Sequence, residues 1–124
     1  MAYTYDDQNI FAKILRGEIP NTTVLETDHS LAFRDVTPQK PEHILVIPKG
    51  AYVCYDHFIA TASDAEILDY TRTIAQVCQN IGVTPDTGAG YRLCSNSGEH
   101  GLQEVPHLHF HILAGASAGR MVAS

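Results

Sequence analysis

The chain has 124 residues, 44% of them hydrophobic and 18% charged, a balance that suits one soluble globular domain with its own core rather than a disordered segment. Eight basic against fourteen acidic side chains give a formal charge of −6, which excludes a basic platform for a nucleic-acid polymer. No apolar run is long enough for a membrane span, and the start Met1-Ala2-Tyr3-Thr4-Tyr5-Asp6-Asp7 lacks the basic and apolar regions of a secretory signal.

Residues 1–8 are polar and expected to be loose. Ile10, Phe11, Ile14 and Leu15 then repeat at helical spacing, with Gly17 as a stop and Pro20 beyond it. Thr23–Thr27 and Leu31–Arg34 read as two strands around the turn Asp28-His29-Ser30. Thr37-Pro38-Gln39-Lys40-Pro41 reads as a rigid loop, and His43-Ile44-Leu45-Val46-Ile47 as an apolar strand closed by Pro48. The stretch 49–62 is ambiguous. Ser63-Asp64-Ala65-Glu66 is a capping box that opens the longest helix, with Ile67, Leu68, Ile74, Val77, Cys78 and Ile81 as its apolar stripe and Gly82 as its stop. After a turn-rich segment, Tyr91–Ser95 is a fourth strand, Asn96–Pro106 a polar loop and His107–Leu113 a fifth strand. The small-residue tail after Ala114 is expected to be loose. The sum is α+β, with about five strands and two helices. The absence of regular βαβ alternation predicts an antiparallel sheet. One domain spans 1–124, its core about 9–115. Cys54, Cys78 and Cys94 are odd in number and contain no CxxC pair, Cys78 and Cys94 read as small core residues, and the set suits a reducing cytoplasm.

The run His107-Leu108-His109-Phe110-His111-Ile112-Leu113 carries most of the chemistry. A period of two puts the imidazoles on one strand face and Leu108, Phe110 and Ile112 on the other. A merely solvated face has no reason to choose histidine over Thr, Lys or Glu. A metal site is disfavoured for three ligands from one strand, since alternate residues stand roughly 7 Å apart and the outer pair roughly 13 Å at about 3.3 Å rise per residue. We place first a catalytic strip, because imidazole acts as base, acid or nucleophile near neutrality.

Around this run, Gly98 and Gly101 permit close backbone approach in a loop that would suit a phosphate or be an ordinary turn. Asn96 and Gln103 bracket it with amides able to donate to phosphate oxygens. Asp35 either caps the Thr37-Pro38 turn or accepts the hydroxyls of a ribose. His43 opens its strand as a candidate site group or as a hydrogen-bonded boundary histidine.

Read together, Ile10–Pro20, Leu31–Pro38, His43–Lys49, Tyr91–Asn96, Gln103 and the three histidines resemble the histidine-triad (HIT) superfamily, and within it the Hint-like branch of nucleotide-binding hydrolases. The resemblance implies a HIT-like fold and a homodimer with the sheet continued across the interface. It implies a purine nucleotide substrate, no cofactor, and hydrolysis of purine nucleoside phosphoramidates or acyl-nucleotides at the α-phosphorus. His109 would attack, forming a nucleotidyl-histidine, and AMP or GMP would be released. His107 and His111 would bind phosphate oxygens and tune His109, with His43 nearby. Asn96 and Gln103 would contact the phosphate and Asp35 the ribose. Ile10, Phe11, Ile14, Phe33, Val36 and Leu45 would line the base pocket, although all six are equally good core candidates.

Three positions depart from the pattern. Zinc-binding cysteines that many bacterial relatives carry are here Asn9 and Ala12, so no metal is expected. Glu104 stands where many Hint-like enzymes have the hydroxyl associated with protonating the leaving group. The short tail Gly119-Arg120-Met121-Val122-Ala123-Ser124 lacks the aromatic groups that shape some relatives' pockets. Substrate selectivity therefore does not carry over. Hydrolysis of dinucleoside polyphosphates and a non-enzymatic nucleotide-binding module are the alternatives.

Overall fold

A computed structural model describes residues 3–121; residues 1, 2 and 122–124, the outer ends of the segments expected to be loose, lie outside it. The elements are α1 (Ile10–Leu15), β1 (Thr23–Glu26), β2 (Ser30–Arg34), β3 (Glu42–Pro48), α2 (Tyr55–Thr61), α3 (Asp64–Asn80), β4 (Tyr91–Cys94) and β5 (Phe110–Ala114). The five strands form one antiparallel sheet in the order β1-β2-β3-β5-β4. The sheet is as expected, and the helices number three rather than two. The addition, α2, fills the ambiguous stretch 49–62. It is a single short amphipathic turn pair anchored by the buried Phe58, too brief to show a period.

Local chemistry accounts for the boundaries. Asn9 caps α1 by accepting from the Ala12 N–H at 2.9 Å. Ser63 and Glu66 form the reciprocal capping box of α3. Gly82 ends α3 at φ +74, a left-handed backbone conformation that residues with a Cβ rarely adopt. One element of the stripe changes: Leu68 is exposed, while Tyr70 points inward and donates its hydroxyl to the Val46 carbonyl at 2.7 Å. A phenol can enter the core there because the carbonyl satisfies its O–H.

The sheet separates two apolar clusters. Ala32, Ile44, Val46, Ile112 and Ala114 pack against Phe58, Tyr70, Ile74, Val77 and Cys78 of the helices α2 and α3. On the opposite face Leu31, Phe33, Leu45 and Ile47 pack against Phe11 and Ile14 of α1. Leu108, Phe110 and Ile112 join the first cluster, so the apolar half of the histidine run faces α3 as its alternation implied. The run is nevertheless not one strand. β5 begins at Phe110, and His107 to His109 form an extended lead-in. Pro106 supplies no N–H, the His107 N–H turns back to Val105 O at 2.8 Å, and the Leu108 N–H goes to Tyr52 O at 2.8 Å.

Described residues of both terminal segments make contacts with the body of the domain. Tyr3 bonds Asp56 through its hydroxyl and stacks on His57, and Tyr5 reaches His107. At the other end Arg92 donates to the carbonyls of Ala118 and Gly119 at 3.1 and 2.6 Å.

Candidate active site

A two-lobed cleft opens on the α1 face of the sheet. One lobe, about 240 Å³, is mostly apolar and is lined by Ile10, Phe11, Ile14, Phe33, Val36 and Leu45, with Ile19 and Pro20 completing it. The other, about 340 Å³, is polar and includes Gln39, His43, Asn96 and Leu102. Asp35, Thr37, Glu104, His109 and His111 line both lobes and so mark their junction. The register explains the convergence: Phe33 pairs with Leu45 and Leu45 with His111, and directly opposed residues share a face.

The partners of each imidazole assign its tautomer. His107 is fully buried; its Nε2 lies 2.8 Å from the Pro48 carbonyl, an acceptor only, and its Nδ1 lies 2.6 Å from the Tyr5 hydroxyl. Nε2 therefore carries the proton and Nδ1 accepts from Tyr5. His109 directs Nδ1 at the His107 carbonyl, 2.8 Å away, so Nδ1 holds its proton and Nε2 keeps a free lone pair. Phe11 braces this ring edge-on at 5.0 Å between centroids. Ser95 donates to the His109 carbonyl at 2.7 Å and fixes the backbone beneath it. His43 accepts the Gln39 N–H on Nδ1 at 3.0 Å, which leaves its Nε2–H to donate to His111 Nδ1 at 2.9 Å. In neutral His111 the proton then lies on Nε2, a donor for a ligand in the cleft.

Burial holds all four imidazoles toward the neutral form. His107 and His111 are lowered to about 4, first by desolvation and then by the neighbouring His109, with the Pro48 carbonyl opposing for His107 and, for His111, His43 adding to the shift and Asp35 opposing it. Desolvation also lowers His109, against the hydrogen bond to the His107 carbonyl and the charges of Asp35 and Glu104, and lowers His43 against Asp35. A neutral ring with a free Nε2 is a nucleophile; His111 beside it is a donor.

Asp35 caps its turn and also reaches the cleft. One carboxylate oxygen accepts from the Thr37 N–H at 2.9 Å, capping the turn, and the other lies 3.4 Å from His43 Nε2 at the cleft junction. Asn96 lines the polar lobe. Gln103 does not: its amide donates to Val53 O at 2.6 Å and Val105 O at 3.0 Å, and its oxygen accepts from the Gly98 N–H at 3.0 Å. Gln103 thus braces the loop, with its amide engaged by backbone groups outside the lining of the polar lobe. His107 likewise stands behind the cleft, with both ring nitrogens engaged. Sequence reasoning missed Tyr5, Ser95 and Leu102. Tyr5 lies in a segment with no local pattern, Ser95 read only as the end of a strand, and Leu102 offered only an apolar side chain after the loop glycine Gly101. Among the described residues, Asp35, His43 and His111 could together hold a cation, their ligand atoms lying within 4.8 Å of one another. An ion there would have to replace the His43–His111 hydrogen bond.

The chain matches the HIT domain model over residues 16–118. It is 55% identical over 122 residues to a HIT-like protein of Azospirillum brasilense, with 98% of each chain covered. It is 39% identical to a purine nucleoside phosphoramidase of Escherichia coli K12, covering 94% of this chain and 95% of that protein. A histidine triad protein from Clostridium difficile superposes with a TM-score of 0.79 at 38% identity, over 94% of this chain and 98% of that one.

Proposed function

Because this chain belongs to the HIT domain family, we propose that it is a Hint-like hydrolase of purine nucleoside phosphoramidates or acyl-nucleotides. The observation that carries the reading is His109 Nε2, unprotonated and set where an apolar lobe meets a polar one. The purine lies in the apolar lobe against Ile10, Phe11, Ile14, Phe33, Val36 and Leu45. Asp35 accepts ribose hydroxyls. His111 Nε2–H and Asn96 donate to the phosphate oxygens, and His107 acts as a positioning residue through its carbonyl.

In the first step the Nε2 lone pair forms a bond to the α-phosphorus and the bond from phosphorus to the leaving group breaks. An amine leaves with a proton drawn from solvent water. The proton stays on His109 Nδ1, hydrogen-bonded to the His107 carbonyl throughout, and that bond stabilises the positive charge that develops on the ring. In the second step water attacks phosphorus, the phosphorus–Nε2 bond breaks and the water returns a proton to solvent. The nucleoside monophosphate is released and the histidine is regenerated.

The single-domain chain acts as a homodimer that continues the sheet through edge strand β4, where Tyr91 and Leu93 are exposed. Its three free thiols suit a reducing compartment.

The test is turnover of adenosine 5′-phosphoramidate by the unaltered protein and by His109→Ala, with intact-mass detection of an AMP adduct after rapid quench. Turnover with a transient adduct, both abolished in the variant, is expected. AMP binding without turnover or adduct would replace this reading with a non-enzymatic binding module.

A further inference from the structure

The polar lobe contains one aliphatic side chain, and that side chain sits on a backbone that disfavours it. Leu102 has φ +58, and it is the one non-glycine residue with positive φ among the described residues. In this region Cβ crowds the following carbonyl, a strain glycine would not incur. The turn imposes it: the Leu102 N–H goes to Glu99 O and the Gln103 N–H to Gly98 O, both at 3.1 Å. Burial does not offset the strain, because Leu102 is 78% exposed. It nonetheless lines the lobe with Asn96, Glu104, His109 and His111. A lone exposed leucine is ordinary on a surface, but one held on a strained backbone at a cleft gains a use when a ligand covers it.

The reaction geometry says which part of the ligand that is. Displacement in line sends the leaving group away from the attacking Nε2. Once the nucleoside fills the apolar lobe, the space left to the leaving group is the lobe that Leu102 lines. We infer that Leu102 is a specificity-determining residue that receives an apolar body on the leaving group. The favoured substrates are nucleoside phosphoramidates of amines bearing an aryl or branched aliphatic group. Glu104 at the same mouth favours an amine, which departs toward a cation, over an acidic leaving group. The inference rests on the hydrolase reading above.

The experiment compares kcat/KM for adenosine 5′-phosphoramidate carrying a phenethyl group on nitrogen with that of the unsubstituted compound. It is run on the unaltered protein and on Leu102→Gly, Leu102→Asn and Leu102→Met. Asparagine tolerates the left-handed backbone yet offers no apolar surface, so it separates side chain from strain. The unaltered protein is expected to favour the phenethyl substrate. That ratio falls about tenfold in the Gly and Asn variants, carried mainly by KM, and survives in the Met variant. A ratio unchanged across folded variants, or no preference in the unaltered protein, overturns the role of Leu102 while the hydrolase reading stands. No turnover of either substrate by the unaltered protein overturns both.

Discussion

Tyr5 is the residue whose importance its neighbours in sequence least announce. Its hydroxyl completes the hydrogen bonding of a fully buried imidazole, His107, whose carbonyl in turn fixes the tautomer of His109. Burial holds the phenol protonated, which keeps it a donor. Tyr5→Phe leaves His107 Nδ1 without a partner, at a cost of roughly 1–3 kcal/mol. Urea unfolding should register that loss, and kcat should fall more than KM rises, because the nucleophile is loosened rather than the substrate. Unaltered stability in the variant would mean that water replaces the hydroxyl and that the N-terminal segment is dispensable to the site. Asp35 makes a related point. Capping its turn and accepting ribose hydroxyls looked like alternatives in the sequence, but capping engages one oxygen and leaves the other at the cleft beside His43.

At the scale of the element, the loop between β4 and β5 shapes the polar lobe of the cleft through Asn96, Leu102 and Glu104. Gln103 ties it to Val53 and Val105, and a close crossing of the backbone fixes its tip. A Cβ on Gly101 would lie 2.5 Å from Ser97 O and 2.7 Å from Ser97 N, both backbone atoms with little freedom to yield. Gly101→Ala is therefore expected to shift Leu102 and Glu104, to cost more than about 1 kcal/mol in thermal or urea unfolding, and to lower kcat/KM. Wild-type kinetics in a variant of unchanged stability would show that the loop does not set the cleft. The lead-in His107–His109 follows the same logic. It leaves the β ladder because Pro106 interrupts it and the Tyr52 and Pro48 carbonyls capture its donors. This exit lets His107 turn behind the site while His109 enters it.

For the whole molecule, folding places four imidazoles where protonation is disfavoured, and stability must follow. Below about pH 6.5 the unfolded chain binds protons that the folded chain refuses, with His107 and His111 held down to about 4. The contribution is complete above pH 6.5 and is lost as pH falls through the window from 6.5 to about 4. For buried His107 alone it amounts to roughly 3 kcal/mol. The urea midpoint measured between pH 7 and pH 4 should fall steeply, with a slope corresponding to more than one proton taken up on unfolding. A flat profile across that window would show that these rings are charged in the folded protein.

The capping box at Ser63, the helix ended by Gly82, the boundaries of the first four strands to within a residue or two, and the two-faced character of the histidine run were all legible in the sequence, because each depends on near neighbours in the chain; the fifth strand starts three residues later than its alternation implied. The antiparallel sheet followed from the spacing of those elements, and the six apolar residues assigned to the base pocket do line one lobe. The helix Tyr55–Thr61 was not legible, since seven residues hold too few turns to show a period. Nor was the division of labour among the histidines. Which imidazole is buried, which nitrogen holds its proton and which lone pair stays free depend on partners 102, 68 and 59 residues away, Tyr5, His43 and Pro48. The sequence by itself determined the elements and the chemical groups available. Tertiary structure decided which of those groups face the cleft and in what protonation state, because desolvation and distant hydrogen bonds exist only once the sheet has closed over them.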